Sequence, residues 1–407
     1  MDPQFANRNR AAVLAQVLSS SPTTRTAVAE ATGLSPATVS RMVDTLMGEG
    51  LLRETDEVAS GRRGRRATLV EVVADRAVVA GVDLGASSTR FILADLLGEP
   101  LSRRTSPTPS DRGPEELATW LADEVEATAG ARTDRLAAVA VGLPGAVRGH
   151  DRTVTSAPNL PQVEQRAFLD VLEKRLGAGL DLDNDSNYAL LGEQRFGAAR
   201  SAPTAVMLTV GAGLGAGVAL EGRLLRGRNG LVGEFGHLPV GPLGTPLEHL
   251  VTGPGIMRRA AELGMDIASP AALFADDADG QLVAMRRHVE QALLVVLTAA
   301  VVSYEPDIIV LGGRIARAFA PHLEELSQGL RRIVPSAPPV VPAQLDDLSG
   351  ALGAAVAALH RVYLGLGLAE PDLVRVPSPR DLASALADRP AGDSGGGTGV
   401  SRASDLG

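Results

Sequence analysis

The chain has 407 residues, a length that predicts two or three domains rather than a single core. Its composition is that of a soluble globular protein, and because aromatic residues make up only 3%, the cores must be built from aliphatic side chains. The absence of cysteine excludes disulfides and thiolate metal sites. A net charge of −9 argues against coating of nucleic acid along the whole chain, but it leaves room for a local basic surface.

The sequence contains no pattern typical of export or membrane insertion. The N-terminus lacks the apolar run of a signal peptide. The longest apolar run, ALLVVLTAAVV at residues 292–302, is too short to cross a bilayer and is typical of a buried helix. We therefore expect a cytoplasmic protein that has no membrane partner.

Three short helices are predicted near the N-terminus, over residues 9–20, 24–33 and 35–50. Ser35 is a good N-cap for the third helix, and the following proline suits its first turn. Apolar side chains fall on one face of this helix, at Val39, Met42, Val43 and Leu46. Two short helices joined by a glycine-containing turn are typical of a helix-turn-helix, whose second helix enters the DNA major groove. An unrelated helical hairpin is the alternative.

The polar positions of the third helix and the segment after it supply candidate DNA contacts. Strand-like segments at 51–55 and 67–73 flank GRRGRR at 61–66, which predicts a wing with a basic tip for phosphate or minor-groove contact. The first 66 residues carry nine arginines and seven acids, a net of +2, which leaves −11 for the rest. The predicted DNA-binding residues are Ser35, Thr38, Ser40, Arg41, Arg62, Arg63, Arg65 and Arg66. We place this winged helix-turn-helix domain at residues 1–75.

From residue 77 onward, strand-like and helical segments are mixed, which predicts an α/β body. Two units of strand, glycine-containing turn and strand, at 77–101 and 202–225, suggest two lobes of similar plan with a cleft between them. We place the lobes at residues 76–200 and 201–370, with the last helix returning to the first lobe. The remainder, 371–407, is rich in Gly, Ser, Pro and Asp without apolar periodicity, and we expect it to be disordered.

Glycine-rich turns after strands bring backbone N–H groups close to an anion, because no Cβ intervenes. The turns DLGASS and GAGLGAG and the double glycine after DIIVL are therefore candidate phosphate sites, and an Asp in the first turn suits Mg²⁺. Glycine also serves tight turns that have no ligand. The candidate phosphate and magnesium residues are Asp83, Gly85, Ser87, Gly211, Gly213, Gly312 and Gly313.

Taken in order, the motifs of the chain resemble the ROK family of bacterial repressors, open reading frames and sugar kinases. The resemblance rests on DLG, GLPG, SAPNLP, DNDSN, GAGLGAG, GEFGH, LEHL and PDIIVLGG, and it covers roughly residues 5–365. The N-terminal helix-turn-helix resembles the repressor branch. The implied fold is a winged helix-turn-helix followed by a two-lobed actin-like or sugar-kinase-like body, which is ribonuclease H-like.

The resemblance also implies a sugar site in the cleft. Carboxylates accept hydrogen bonds from sugar hydroxyls, whereas asparagine both donates and accepts. In the family's kinases, the residue that matches Asp185 is the general base that takes a proton from the attacking hydroxyl. The sugar-binding residues that the resemblance implies are Gly145, Asn159, Asn184, Asp185, Glu234, His237 and Glu248.

Three departures from the family pattern concern the phosphate and metal sites. Ala86 stands where the kinases have glycine, and Ala212 stands where a threonine is usual. The structural zinc site of one His and three Cys is excluded, since the chain has no cysteine. We therefore expect no metal and no cofactor, with ATP and Mg²⁺ relevant only if the protein is a kinase.

The sugar ligands survive while the phosphate turns are degraded, which favours a sensor over an enzyme. We expect a sugar-responsive repressor of carbohydrate genes, a homodimer or homotetramer that binds operator DNA and a sugar or sugar-phosphate effector. One alternative is an ATP-dependent sugar kinase that retains a DNA-binding domain, since Asp83, Ser87 and Asp185 all remain. Another alternative is a repressor whose pocket is vestigial.

Overall fold

A computed structural model describes residues 3–55, 68–241, 244–275, 277–380 and 382, without the side chains of residues 3–6 and 178. The four predicted wing arginines, at 62, 63, 65 and 66, lie outside the described residues. The same is true of 383–407, most of the segment that we expect to be disordered.

The N-terminal head contains the predicted helix-turn-helix, together with a small antiparallel sheet. Its elements are α1 (Pro3–Ser20), β1 (Thr23–Thr24), α2 (Arg25–Thr32), α3 (Pro36–Gly48), β2 (Leu52–Thr55) and β3 (Leu69–Val72). The strands form an antiparallel sheet in the order β1-β3-β2. Ser35 caps α3 by accepting a hydrogen bond from the backbone N–H of Thr38 at 3.2 Å. The predicted apolar face of α3 is buried.

The first lobe, residues 76–200, is a five-stranded sheet with helices on both faces. Its elements are β4 (Val78–Leu84), β5 (Ser88–Asp95), β6 (Pro100–Pro107), α4 (Pro114–Ala129), β7 (Leu136–Leu143), β8 (Ala146–Val147), β9 (Val154–Thr155), α5 (Arg166–Leu176), β10 (Leu180–Asn184) and α6 (Asp185–Phe196). The strand order is β10-β7-β4-β5-β6. Strands β4, β7 and β10 run parallel, whereas β5 and β6 are antiparallel additions at one edge.

The second lobe, residues 201–348, also has a five-stranded sheet. Its elements are β11 (Ala205–Val210), β12 (Leu214–Leu220), β13 (Arg223–Leu224), β14 (Pro239–Val240), β15 (Thr245–Pro246), α7 (Glu248–Val251), α8 (Gly253–Glu262), α9 (Gly280–Tyr304), β16 (Ile308–Gly312), α10 (Arg314–Phe319), α11 (Leu323–Ile333) and β17 (Val340–Pro342). The strand order is β13-β12-β11-β16-β17. The apolar run at 292–302 lies within α9, whose inner face is buried against this sheet.

The last long helix, α12 (Ser349–Gly365), packs against α6 and against strands β4 and β7 of the first lobe. The two helices touch because Gly353 has no side chain, and a Cβ there would lie 1.6 Å from the Tyr188 carbonyl oxygen. By length and composition alone, the segment Asp346–Gly365 could span a membrane. However, 67% of its apolar window is buried, which is typical of a core helix.

The predicted start of the disordered tail, at residue 371, is wrong. A short helix, α13, spans Glu370–Leu373, and Val376 after it is completely buried. Nε2 of His360 lies 2.8 Å from the Val376 carbonyl oxygen, and Nη1 of Arg380 donates to the Leu97 carbonyl at 2.9 Å. These contacts with distant parts of the chain hold residues 371–380 to the first lobe.

The head and the first lobe share one continuous apolar cluster, which runs from α1 and α3 through the first sheet to α12. At the surface of this junction, Arg10 of α1 donates to the Leu366 carbonyl oxygen, just past the end of α12, at 2.6 Å. Arg10 also pairs with Glu49, which follows α3. The end of α3, the predicted DNA-reading helix, is therefore tied to the end of α12.

Candidate functional site

The parallel strands of the first lobe bring its predicted ligands to one edge. In the sheet register, Asp83 of β4 lies beside Gly142 of β7, and Asn184 of β10 lies beside Leu143. The carboxyl ends of all three strands therefore meet where Asp185 begins α6. Ligands of open α/β sheets bind at this end of the strands.

Asn184 has a structural role at this edge. Its side-chain oxygen accepts the Ser186 N–H at 2.9 Å as the N-cap of α6, and its Nδ2 donates to the Gly145 carbonyl at 2.9 Å. Gly145 has a φ of +91°, and a Cβ there would lie 2.5 Å from the Thr155 carbonyl oxygen. An amide can make four hydrogen bonds, so one N–H and one lone pair of Asn184 remain for a ligand.

Asp185 is the central carboxylate of the site. Burial raises its pKa, while the hydroxyl of Ser186, which donates to its Oδ1 at 3.1 Å, opposes the rise. Its negative charge in turn contributes to the raised pKa of Glu234, from the second lobe. Acids of the two lobes are therefore close enough to repel each other, and hydroxyl donors placed between them would relieve that repulsion.

Glu234, His237 and Glu248 form the second-lobe side of the site. Burial is the largest cause of the raised pKa of Glu234, and His237 opposes it with Nδ1 at 3.7 Å from Oε2. Glu248 adds a further repulsive charge, and a Cβ on Gly236 would lie 3.5 Å from its Oε2. The side chain of His237 is 62% exposed. It therefore stands at the mouth of the site rather than in a packed core.

Asn159 reaches the site from the first lobe and meets the glycine-rich turn of the second. A Cβ on Gly213 would lie 3.8 Å from Nδ2 of Asn159, which is exposed. The structure thus brings all seven predicted sugar residues to the facing edges of the two lobes. Gly145 and Asn184 contribute mainly by holding the loops in place.

The phosphate side of the cleft is built differently from an open magnesium site. Burial, and then the negative charge of Asp185, raise the pKa of Asp83 to about 7. The guanidinium of Arg90 lies 3.7 Å from Asp83 and 3.3 Å from Asp347. Arg90 therefore already places a positive charge beside Asp83, and this charge opposes the binding of a further cation such as Mg²⁺ there.

The remaining predicted phosphate residues lie on turns at the same edge. Gly211 and Gly213 follow β11. Gly312 ends the parallel neighbour β16, where it pairs with Thr209, and Gly313 follows it. The Gly211 carbonyl accepts the N–H of Gly253, the first residue of α8, at 2.8 Å. The two turns therefore lie side by side. Ala212, between Gly211 and Gly213, is exposed and offers no hydroxyl.

In the first lobe, the DLGASS turn links β4 to β5. Gly85 is tightly packed, since a Cβ there would lie 2.8 Å from the Ser88 carbonyl oxygen, whereas Ser87 is exposed. Ser87 therefore keeps a hydroxyl that could face a ligand.

The predicted DNA-reading residues of α3 and its cap lie outside the buried face of the helix. Ser35 and Arg41 are exposed, whereas Thr38 and Ser40 are half-buried. The hydroxyls of Ser35 and Thr38 lie 2.9 Å apart, so both take part in the helix cap. Arg41 is the predicted contact that projects most freely.

Sequence patterns did not indicate three groups of charged contacts, two of which involve residues at or beside the cleft. Arg226 donates from Nε to Oδ2 of Asp183 at 2.6 Å, which joins the second lobe to the first. Arg90 stands beside Asp83, as described above. The third contact is a group of Glu290, His322 and Glu325 in the second lobe, with ligand atoms within 4.8 Å of one another. Arg286 already contacts two members of this group, at 3.1 and 3.4 Å, so it forms a network of charged side chains.

Comparison with known proteins places this fold in a family. Residues 79–361 match the sequence model of the ROK family, and residues 10–56 match that of the IclR helix-turn-helix domain. The xylose repressor of Caldicellulosiruptor bescii is 29% identical over 235 residues, 57% of this chain and 58% of that protein. The chain thus spans little more than half the length of that relative.

A kinase and a solved regulator complete the comparison. The glucokinase of Thermotoga maritima is 30% identical over 311 residues, 69% of this chain and 97% of that protein. The crystal structure of a ROK family transcriptional regulator, a homolog of the E. coli MLC protein, superposes with a TM-score of 0.73. It is 22% identical and covers 91% of this chain and 99% of its own, so it shows a common fold. The chain belongs to the ROK family and carries a helix-turn-helix domain in front of the ROK body.

Proposed function

We propose that this protein is a sugar-responsive, DNA-binding transcriptional repressor of carbohydrate uptake or metabolism genes. The observation that carries the proposal is that the predicted sugar residues meet at one cleft, while two predicted phosphate positions hold alanine, in a chain that also has a helix-turn-helix. A regulator needs only a ligand whose affinity differs between two conformations. A kinase must also position a nucleotide for transfer.

The sugar side has the chemistry that a polyhydroxylated ligand requires. Three carboxylates lie close enough to repel one another, those of Asp185, Glu234 and Glu248. Burial raises the pKa of the first two. Each sugar hydroxyl that donates to this group would satisfy a partly buried acceptor and separate like charges. The amide of Asn159 adds a donor and an acceptor at the opposite wall.

A path from the cleft to the head runs through α12. The helix begins against the cleft, where Gly350 packs so closely on Asp83 that a Cβ would lie 2.8 Å from the carboxyl carbon. It is 17 residues long, about 25 Å, and ends beside Leu366, whose carbonyl accepts a hydrogen bond from Arg10 of the head. Closure of the lobes around a sugar would tilt α12, and the tilt would reach α1 and α3 through this contact.

The partners follow from the same arrangement. The head would read operator DNA with α3, with half-sites one or more helical turns apart if the protein acts as a homodimer or homotetramer. The effector would be a sugar or sugar phosphate in the cleft, with no further cofactor. The compartment that fits DNA binding in a bacterial family is the cytoplasm.

The test combines DNA binding with a ligand screen. Duplexes selected from a random pool by the full-length protein would serve as the operator, and a sugar panel would first be screened by thermal shift. A sugar that raises the melting temperature should weaken duplex binding by about 5- to 150-fold, a typical coupling of two sites. Asp185→Asn should bind the duplex as the wild type does and ignore that sugar. A stabilising sugar that leaves duplex affinity unchanged would overturn the proposal.

A second candidate, an ATP-dependent sugar kinase, is favoured by one feature. Asp185 combines a hydrogen-bonded position at the start of α6 with a pKa raised by burial, which suits a general base. ADP release with the same sugar panel tests this candidate. Sugar-dependent turnover that Asp185→Asn abolishes would establish it.

A further inference from the structure

A cavity of about 500 Å³ lies away from the sugar cleft, where the β12–β13 hairpin of the second lobe meets α12 and α13. Arg195, in the last turn of α6, forms part of its wall. Asp185 is at the other end of α6, ten residues earlier, or about 15 Å along the axis. The cavity therefore adjoins both lobes without belonging to the predicted sugar site.

Arg195 is a buried cation that has no counter-ion in the described part of the chain. It is only 5% exposed, and burial lowers its pKa to about 10. Among the described residues, no acidic side chain forms a salt bridge with it, and its Nε has no hydrogen-bond acceptor. Its Nη2 donates to the Leu373 carbonyl at 3.0 Å. The carboxyl end of α6 supplies partial negative charge, but less than a full counter-ion.

The rest of the wall adds positive charge. Arg223, Arg226 and Arg361 also line the cavity, against two acids, Asp181 and Glu370. Arg226 is already paired with Asp183. The pKa of His360 is lowered to about 3, mainly by burial, so this histidine is neutral. The wall thus holds four arginines and two acids, and a buried charge without a paired acid, such as that of Arg195 among the described residues, is normally avoided in folded proteins.

We propose that this cavity binds a small organic oxyanion, a phosphate monoester or a carboxylate, with Arg195 as its buried counter-charge. The guanidinium fork matches the oxygens of either group. The volume lies within the range of small-molecule sites, and it exceeds what a bare phosphate would fill. Apolar wall residues would cover the organic part of the ligand: Leu191, Leu224, Ala357 and Leu364.

The experiment measures binding of inorganic phosphate, glucose 6-phosphate and citrate to the full-length protein by thermal shift and calorimetry, against chloride at equal ionic strength. We expect at least one of them to raise the melting temperature of the wild type in a saturable way. Arg195→Met should weaken that binding at least about tenfold, the loss of one charge-assisted pair. Arg259→Met removes an exposed arginine that pairs with Glu262 on α8, and it should bind as the wild type does.

Two further tests ask whether the oxyanion binds in the cavity rather than in the cleft, and whether Arg195 has only a structural role. Asp185→Asn should retain the oxyanion binding, whereas its loss there would place the ligand in the sugar cleft and overturn the proposal. Without ligand, Arg195→Met should be at least as stable as the wild type, because a desolvated cation is removed. The proposal is also overturned if no oxyanion binds beyond the ionic-strength effect. The same holds if Arg195→Met unfolds while Arg195→Lys restores stability and no oxyanion binding is found.

Discussion

Oδ2 of Asp183, at the end of the first-lobe strand β10, accepts a hydrogen bond from Nε of Arg226 in the second lobe at 2.6 Å. Asp183 is 4% exposed, whereas the Arg226 side chain is 45% exposed. The other carboxylate oxygen of Asp183 accepts the backbone N–H of Asn184 and the side-chain amide of Asn187, both at 2.8 Å. One buried acid therefore orders the start of α6 and links the two lobes.

Arg226→Ala should lower the free energy of unfolding by about 2 kcal/mol, because Oδ2 of a buried carboxylate loses the one charged partner that it has among the described residues. This free-energy loss is smaller than that expected for a fully buried ion pair, because the Arg226 side chain is 45% exposed and water screens its charge. Arg223→Ala removes a neighbouring exposed arginine and is the matched control. Urea denaturation measures both variants. Equal losses in the two would mean that the link between the lobes carries no stability of its own.

Asp83 should make the stability depend on pH. Its folded-state pKa of about 7 lies above the ordinary value of 3.8, so the folded protein binds the proton more tightly than the unfolded chain does. The free energy of unfolding must therefore fall as the pH rises from about 4 to about 7. Asp83→Asn removes this titration. It should be more stable than the wild type by about 2 kcal/mol near pH 8, with little difference near pH 4.

The control for this prediction is Asp75→Asn, since the Asp75 side chain is 71% exposed and its ion-pair partner, Arg135, is also exposed. Its difference from the wild type should be small. Denaturation of the three proteins in urea at several pH values gives the comparison. A difference for Asp83→Asn that stays constant from acid to alkaline pH would contradict the raised pKa.

Gly353 determines how closely α12 approaches α6. Gly353→Ala would place a Cβ 1.6 Å from the Tyr188 carbonyl, so the two helices would have to separate, at about 3 kcal/mol or more. Gly365→Ala, at the open end of the same helix, meets nothing within 4 Å and should stabilise by about 0.5 kcal/mol. Calorimetry of the pair measures opposite shifts in melting temperature. A higher melting temperature in both variants would show that a Cβ at position 353 fits between the two helices.

Local patterns predicted the elements that local physics determines. The cap at Ser35 and the apolar face of α3 lie within one helix, and both were found as expected. Strand β6 was not predicted because it is an edge strand, and its exposed polar residues hide the alternation of a buried strand. The ordered segment 371–380 was missed because Val376 is buried by residues distant in the sequence, which composition does not reveal.

The same distinction holds at the site. The acids and amides of the cleft were predicted from the family motifs, because each of them lies within one short motif. The cations were missed because their partners are remote: Arg226 is 43 residues from Asp183, and Arg90 contacts Asp347 across the whole body. The contact between Arg90 and Asp83 is local by comparison, because the two residues pair across the β4–β5 hairpin, and it was missed because the sequence analysis assigned no register to that hairpin.

The last prediction concerns the wing, residues 61–66, which rests on sequence alone. Each arginine that neutralises a DNA phosphate releases a counter-ion and adds about −0.9 to the slope of log affinity against log salt. Replacing the four wing arginines with alanine should therefore make that slope shallower by up to about 3.6. Fluorescence anisotropy with one selected duplex at several salt concentrations measures it. The control replaces four exposed arginines of the body, Arg258, Arg259, Arg331 and Arg332, which changes the net charge equally. If that control flattens the slope as much as the wing variant does, the effect comes from overall charge, and the wing does not contact phosphates.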